Sequence, residues 1–314
     1  MPSSTLSQPV QTTPKLGLVC ISISKAVRFK TTTRKHLLSL SVPEQEEKLR
    51  SLYAENLKRL HLALAFCRDR DIQLYRLSSD LFPFFDIPVG KAVLDEFNNE
   101  IREFGDRAQK DNIRLVLHPN QFVVLNSDKP SVIATSIKIL SAHADVFERM
   151  GLPQSPWALM NIHGGKGDRA ERLVDVIRDL PHSVKSRLTL ENDEKTYNAD
   201  AIAQICHKAE IPMVFDAHHH LVYEKLPSYD DPSVGEALAA AKETWKHPEW
   251  QLVHISNGRE SLHDCRHSDL ITQMPESYRN APWIEVEAKH KEDAIAKIDR
   301  EWLSVEELNN TLTC

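Results

Sequence analysis

Short apolar runs alternate with longer amphipathic segments along the chain. Runs rich in β-branched and aromatic residues are typical of buried strands, whereas apolar residues at helical spacing predict helices. The runs predict eight strands, at residues 15–22, 72–78, 113–117, 157–162, 187–190, 211–216, 251–255 and 283–286. The amphipathic segments predict helices at residues 43–70, 93–110, 131–150, 169–180, 200–209, 234–245 and 292–309.

This alternation of strands and helices predicts a parallel sheet covered by helices. Eight strands in 314 residues fit a single-domain α/β protein, a (β/α)8 barrel. A doubly wound open sheet is the alternative, but it favours a glycine-rich first turn, and this sequence has none after its first strand. We predict a barrel domain over residues 15–314, preceded by a disordered tail at 1–14 that is rich in Ser, Thr, Gln and Pro.

Acidic residues and histidines stand at the carboxyl ends of most predicted strands. They are His118, His163, Glu191, Asp216, His254 and Glu287. In a barrel these ends converge on one face, where active sites are built. One such histidine can be an ordinary core residue, but six residues in this register predict a common site.

The sixth strand ends in Asp216 followed by three histidines, His218, His219 and His220. A surface histidine cluster or a misplaced tag is the alternative, although a tag is not expected in mid-chain after an apolar run. Carboxylate and imidazole groups without cysteine suit zinc or manganese. Because the ligands outnumber those of one ion, we expect two or three ions, with a carboxylate such as Glu191 shared between them.

Metal pairs of this kind cleave phosphodiesters, but similar barrels isomerise or epimerise sugars with two metals. A basic segment after the first strand bears on this choice. It comprises Lys25, Arg28, Lys30, Arg34 and Lys35, with no acid among them. Contact with phosphate favours a nuclease, whereas a solvated loop is the structural alternative. A metal-binding barrel without activity is the third option.

Composition restricts the class of protein further. The formal net charge of −6 argues against a non-specific nucleic-acid binder but allows a local basic patch. The five cysteines are scattered, as expected for reduced thiols of an intracellular protein, cytoplasmic or in the nucleoid of a prokaryote. The sequence contains no apolar run long enough to span a bilayer, so we expect no membrane partner. We also expect a monomer that requires no protein partner.

Five segments of the chain together resemble the UV damage endonuclease family. They are LHPNQFVVLNS (117–127), NIHGG (161–165), TLENDEKTYN (189–198), VFDAHHH (214–220) and VEAKHKE (286–292). The resemblance implies a (β/α)8 barrel related to the endonuclease IV group. It implies up to three metal ions, typically Mn2+ with Zn2+ or Mg2+ as alternatives, and incision of double-stranded DNA 5′ of UV photoproducts, with abasic sites as a second candidate substrate.

The resemblance also implies roles for individual residues. His118, His163 and Glu191 would bind one metal, and Glu191, Asp216, His254 and Glu287 a second; His219 and His267 would bind a third. The catalytic residues would be Glu191 and Lys289, the latter as a charge partner for phosphate or for water on the metal. The DNA-binding or lesion-binding set would comprise Leu18, Asn120, Gln121, Phe122 and Asn192 together with the basic segment.

Four positions depart from the family pattern. Leu18 and Phe122 stand where the family usually has tyrosines, Asp80 where some members have His, and Leu252 where some have Lys. The expected metal site is therefore complete, whereas the expected lesion-reading surface is altered.

Overall fold

The predicted strands close into one barrel. The computed structural model describes residues 13–119 and 122–304, so Asn120, Gln121 and most of the predicted tail lie outside the described residues. The strands are parallel and pair in chain order, and the first pairs with the eighth to complete the ring. The (β/α)8 prediction is therefore confirmed.

All eight strands lie within or near their predicted runs. They are β1 Lys15–Val19, β2 Leu74–Leu77, β3 Arg114–Leu117, β4 Met160–His163, β5 Leu188–Glu191, β6 Met213–Asp216, β7 Leu252–Ile255 and β8 Trp283–Val286. Trp157 belongs instead to a 3-10 turn, Pro156–Ala158, that precedes β4.

Helices form the outer layer. They are α1 Arg34–Leu38, α2 Val42–Arg68, α3 Pro88–Asp95, α4 Asn98–Lys110, α5 Pro130–Arg149, α6 Ala170–Arg178, α7 His182–Lys185, α8 Ala199–Ala209, α9 Ala217–Glu224, α10 Pro232–Glu243 and α11 Lys291–Ile298, which continues as a π-helical turn at Asp299–Leu303. Within residues 13–119 and 122–304, no helix is both long and apolar enough to cross a bilayer.

Three helical assignments differ from the prediction. The predicted helix at 93–110 is two helices, because the chain turns at Phe97 and packs that ring 6.3 Å from Tyr53. The basic segment, expected to be a loop, contains α1, whose amino end is capped by Thr33. The histidines after β6 lie on α9, which begins there because the Asp216 side chain accepts a hydrogen bond from the His219 N–H.

Strand alternation separates two apolar layers. Leu74, Val116, Leu252 and Trp283 belong to a cluster inside the barrel, whereas Leu18 belongs to the larger cluster that includes the helices. The neighbouring Gly17 lies on the interior face, where an added Cβ would meet the Leu74 side chain. Leu18 therefore packs outward, beneath the helical layer.

The amino-terminal end of the barrel is closed by a buried cation among tryptophans. The Arg114 guanidinium donates to the carbonyl oxygens of Pro156, Trp157 and Trp250 at 2.8–2.9 Å, and it lies over the rings of Trp157 and Trp283. Because this end is filled, the opposite end is the one at which side chains from several strands can form a site.

Candidate metal centre and DNA-facing surface

Strand register places the predicted ligands beside each other. His163 at the end of β4 pairs with Glu191 at the end of β5, and Asp216 of β6 pairs with His254 of β7. These four residues are far apart in the linear sequence. Parallel pairing in chain order brings them to one face of the barrel.

Glu191 is the centre of this face and is almost completely buried. Its Oε2 accepts a hydrogen bond from Asn161 at 2.6 Å and lies 3.6 Å from His118 Nε2. Its Oε1 lies 3.0 Å from His254 Nδ1 and 3.5 Å from His219 Nδ1. One carboxylate thus contacts side chains from four different parts of the ring.

His118 and His163 form one side of the site. His118 Nδ1–H donates to the Pro119 carbonyl at 2.9 Å, which orients Nε2 toward Glu191. Backbone carbonyls often orient metal-binding histidines in this manner. Buried His163 Nδ1 has no hydrogen-bond partner among the described residues, and burial lowers the pKa of His163. Both imidazoles are therefore suited to donate lone pairs to a metal.

The three histidines of α9 point in different directions because successive helical residues are rotated about 100°. His219 turns toward Glu191, and its Nδ1–H donates to the Asn192 carbonyl at 2.9 Å. His218 instead contacts the Tyr229 hydroxyl at 2.7 Å, and His220 contacts the Ser233 hydroxyl at 3.2 Å. Of the three, only His219 joins a candidate ligand group in the described structure.

The other side of the site is a buried chain of charges. His254 Nδ1 faces Glu191 at 3.0 Å and Glu287 at 3.4 Å, while its Nε2 lies 2.6 Å from Glu285. Arg76 Nη1 lies 3.1 Å from Glu285 and 2.6 Å from Glu287. Glu285 thus fixes the His254 ring from behind, and Arg76 holds both carboxylates.

We call the group of side chains around Glu191 at the carboxyl ends of the strands the cup. The pKa shifts of its residues show that its electrostatic potential is negative. Burial would lower the pKa of His219, but the carboxylates of Asp216 and Glu191 raise it to about 9. Burial similarly opposes protonation of His254, yet Glu191 and Glu285 raise its pKa well above the usual value. For Glu191, burial favours the neutral acid, but His254 and His163 hold its pKa well below the usual value. Such a field favours cations.

Three ligand groups follow from this geometry. They are His118, His163 and Glu191; Glu191, Asp216 and His219; and His254, Glu285 and Glu287. The donor set fits divalent metals, since buried Asp216 Oδ2, like His163 Nδ1, has no hydrogen-bond partner in the described part of the chain. The expected third pair differs: His219 joins Asp216, whereas His267 Nε2 lies 3.8 Å from Glu287 Oε2.

Sequence analysis missed Arg76, Asn161 and Glu285, which orient the ligands. Each lies on a strand and faces the site, as its contacts with Glu191, Glu287 or His254 show. The available signal was the two-residue period of a strand, because Asn161 precedes His163 by two positions and Glu285 precedes Glu287 by two. Arg76 gave no comparable signal.

Two residues expected to contact DNA are buried. The structure contradicts such a role for Leu18, which has 0% exposure and packs under the helices. Asn192 also has 0% exposure, and its side chain bonds both the N–H and the carbonyl of Asp216 at 2.9 Å. The Asn192 amide therefore links the ends of β5 and β6 and is not available to contact a nucleic acid.

The remaining predicted residues differ in how far their side chains are exposed. Lys289 is partly exposed, with Nζ 4.0 Å from Asp269, and Phe122 is 71% exposed. Lys25, Lys30, Arg34 and Lys35 are exposed, whereas Arg28 is partly buried. Asp80 is exposed and belongs to none of the ligand groups found in the described residues. Leu252 is buried within the interior apolar cluster.

Comparison with known proteins identifies the family. A family model described as UV-endonuclease UvdE matches residues 14–313. A UV DNA damage endonuclease of Nostoc sp. is 56% identical over 292 residues, covering 92% of this chain and 91% of the relative. The UV DNA damage endonuclease of Deinococcus radiodurans is 47% identical over 296 residues, covering 93% of this chain and 97% of the relative.

Solved structures show the same fold. The crystal structure of SacUVDE has a TM-score of 0.78 and 27% identity, covering 94% of this chain and 99% of that chain. Two further structures share the barrel architecture alone. Endonuclease IV from Thermus thermophilus has a TM-score of 0.57 and 13% identity, covering 93% of this chain and 99% of that chain. A D-psicose 3-epimerase from Clostridium cellulolyticum has a TM-score of 0.52 and 10% identity, covering 87% and 84%. The family model and the two relatives decide between nuclease and sugar isomerase: the chain belongs to the UV-endonuclease UvdE family and is a DNA endonuclease.

Proposed function

We propose that this protein is a metal-dependent DNA repair endonuclease that incises the backbone of duplex DNA immediately 5′ of UV photoproducts. Abasic sites are the second substrate that we propose. The observation that supports this function is the meeting of three ligand groups around one buried carboxylate, Glu191, in a chain of the UV-endonuclease family.

The metal-binding residues that we propose in these groups are His118, His163, Glu191, Asp216, His219, His254 and Glu287, with Glu191 shared between the first two groups. Glu287 and His267 would close the side formed by β7 and β8, with Glu285 and Arg76 holding the ligands in place. We propose Mn2+ as the resident ion, with Zn2+ and Mg2+ as alternatives. When bound, such ions neutralise phosphate charge and lower the pKa of water toward ~7.

Surrounding residues would position the DNA. The reacting phosphodiester must descend into the cup, so the damaged nucleotides must leave the base stack. Phe122 is an exposed ring four residues after His118 in the chain, and we propose that it fills the vacated space. Gln121 and Asn120, outside the described residues, are proposed to contact the bases beside it. Lys289 is proposed as a partially exposed cation for phosphate.

The decisive experiment uses end-labelled duplex with a single cyclobutane dimer. With Mn2+ we expect one product, cut at the first phosphodiester 5′ of the dimer, and with chelator we expect none. A matched undamaged duplex is the substrate control, and a duplex with one tetrahydrofuran abasic analogue tests the second substrate. Incision that persists in chelator, or that is equal on damaged and undamaged duplex, would contradict the proposal.

A further inference from the structure

Four cations lie on the segments that follow β3 and β4, one of them on α6, outside the ligand set and the basic segment. We name Lys129, Lys166, Arg169 and Arg172 the cation cluster. Three of them converge on Asp128: Lys166 Nζ forms an ion pair with its carboxylate, Arg169 Nε lies 3.0 Å away and Arg172 Nη1 3.7 Å away. Lys129, the adjacent residue in the chain, is exposed.

The loop that carries Lys166 is held rigidly. The Asn126 side chain donates to the carbonyl oxygens of Gly164 and Lys166 at 2.9 and 2.7 Å, and it accepts from the Lys166 N–H at 2.8 Å. The Tyr197 hydroxyl donates to the same Lys166 carbonyl at 2.8 Å. Gly165 has φ +76°, and an added Cβ would lie 2.6 Å from Asn126 Oδ1. The backbone is therefore preorganised while its cationic side chains face solvent.

The cluster keeps an excess of positive charge after its neighbours are counted. The acids beside it are Asp128, Asp168 and Glu171, and Glu171 is paired with Lys208 at 2.6 Å. Four cations against Asp128 and Asp168 leave two uncompensated positive charges. Side chains of Lys166, Arg169 and Arg172 are 52%, 38% and 38% exposed, so this charge is accessible. In a chain of net charge −6, such an excess favours an anionic partner.

The position of the cluster indicates which anion it meets. The loops after β3 and β4 also carry His118, Phe122 and, at the strand end, His163. The Lys166 loop begins directly after His163, where Asn126 bonds the Gly164 carbonyl, so the cluster follows the strand end that carries this histidine. The basic segment follows β1, which is two strands from β3 and three from β4 around the ring. Positive charge therefore stands at two separate parts of the mouth.

We propose that the cation cluster binds backbone phosphates of the duplex, on the part of the mouth away from the basic segment. Phosphate contacts on two sides of the cup would fix the orientation of the duplex above Glu191 without reading its sequence. The inference rests on the proposed function for its ligand, duplex DNA, but its test does not depend on incision.

The test measures anisotropy of an undamaged, labelled duplex with the full-length chain in chelator, over a series of salt concentrations. Arg169→Ala/Arg172→Ala should weaken binding and lower the log–log salt slope by roughly two units, since each phosphate contact contributes about 0.9. Asp128→Asn should instead tighten binding, because it removes a negative charge from the cluster. Thermal melts followed by circular dichroism verify that each variant is folded.

Matched controls lie on α4. Arg102 and Arg107 are exposed arginines paired with Asp106 and Asp111 at 2.9 Å, so Arg102→Ala/Arg107→Ala and Asp106→Asn reproduce the same charge changes elsewhere. We expect these controls to retain the wild-type salt slope. Cluster variants that behave like the α4 controls would overturn the inference. A folded wild type that binds duplex but incises no lesion would instead refute the proposed function alone.

Discussion

Glu191 is a buried carboxylate whose charge is stabilised entirely by its neighbours. Asn161 donates to it, and His118, His219 and His254 lie within 3.0–3.6 Å of its oxygens. A buried ion is costly unless it is paired and hydrogen-bonded. Glu191 meets these conditions while belonging to two ligand groups, so a change at this position tests the site most directly.

We predict that Glu191→Gln abolishes incision while the fold survives. The amide retains the shape and the hydrogen bond from Asn161 but removes the negative charge that two ligand groups share. The loss should exceed the roughly 10- to 100-fold cost of removing a group that only orients a ligand. Incision kinetics and metal content measured together would test this. Glu103→Gln, at an exposed glutamate on α4, is the control, and full activity of Glu191→Gln at saturating Mn2+ would refute the shared-ligand role.

Phe122 is the second residue whose environment is informative. Its 71% exposure shows that it is not part of the apolar core. A phenylalanine ring can stack on bases but, unlike tyrosine, cannot donate a hydrogen bond.

We predict that Phe122→Ala selectively reduces incision of dimer-containing duplex, with metal content unchanged, because the space left by extruded bases is not filled. Fluorescence of 2-aminopurine opposite the lesion should report less unstacking. Phe122→Tyr should retain activity, and Leu62→Ala, which truncates another exposed apolar side chain, should have no effect. Wild-type incision and fluorescence in Phe122→Ala would exclude the ring from the mechanism.

At the scale of elements, short helices at strand ends place the functional side chains. Helix α9 starts at Asp216 and directs one of three consecutive histidines into the site. Helix α1 interrupts the basic segment, and the Thr33 hydroxyl accepts from the His36 N–H to cap it. Asn56 anchors the chain before it, bonding both the N–H and carbonyl of Lys30. The basic segment is thus an ordered surface.

We predict that Arg34→Ala/Lys35→Ala lowers the salt slope of duplex binding by roughly two units, because both cations are exposed and each can replace a counterion on phosphate. Affinity for damaged and undamaged duplex should fall by the same factor, since phosphate contacts carry no lesion information. Anisotropy titrations on both duplexes measure this. A slope equal to that of Arg102→Ala/Arg107→Ala would mean that this segment is only solvated surface.

The whole molecule divides stability and chemistry between the two ends of the barrel. Arg114 and tryptophans close the amino-terminal end, whereas charged ligands gather at the carboxyl ends of the strands.

A buried histidine between the helices and strands links overall stability to pH. His143 on α5 has its ring 4.9 Å from Phe85, and burial lowers its pKa to about 4.

We predict that His143 weakens the fold in mild acid. Between its unfolded pKa of about 6.5 and its folded value of about 4, the unfolded chain binds the proton and the native protein does not. The free energy of unfolding should therefore fall with decreasing pH, by about 3 kcal/mol in total from this residue. Above a pH of about 6.5 the imidazole is neutral in both states, so this loss of stability is absent.

Urea titrations at several pH values, in chelator, measure the effect. His143→Gln should flatten this acid-dependent loss relative to wild type, because glutamine does not titrate. His36→Gln, at an exposed histidine on α1, is the control and should leave the pH profile unchanged. Parallel profiles for wild type and His143→Gln would show that acid sensitivity originates elsewhere.

Local sequence patterns were sufficient to predict the barrel and to place acids and histidines at its strand ends, because these depend on apolar runs and on the alternation of strand and helix. Placing His118, His163, Glu191, Asp216, His254 and Glu287 on one face required only that parallel strands share a direction. The family resemblance added the nuclease assignment that the residues alone left open beside sugar isomerisation.

Which side chains meet was settled by tertiary packing. Whether Leu18 faces inward or outward depends on the phase of β1 within the ring, and the outward phase buries it. Whether His218, His219 or His220 reaches the site depends on the start of α9, which Asp216 sets through a hydrogen bond. Arg76 and Glu285 came together with His254 because β2, β7 and β8 lie near each other in space. A two-residue period marks Glu285 as facing the same side as Glu287, but its meeting with Arg76 and His254 depends on the closure of the ring, which the sequence of one strand does not encode.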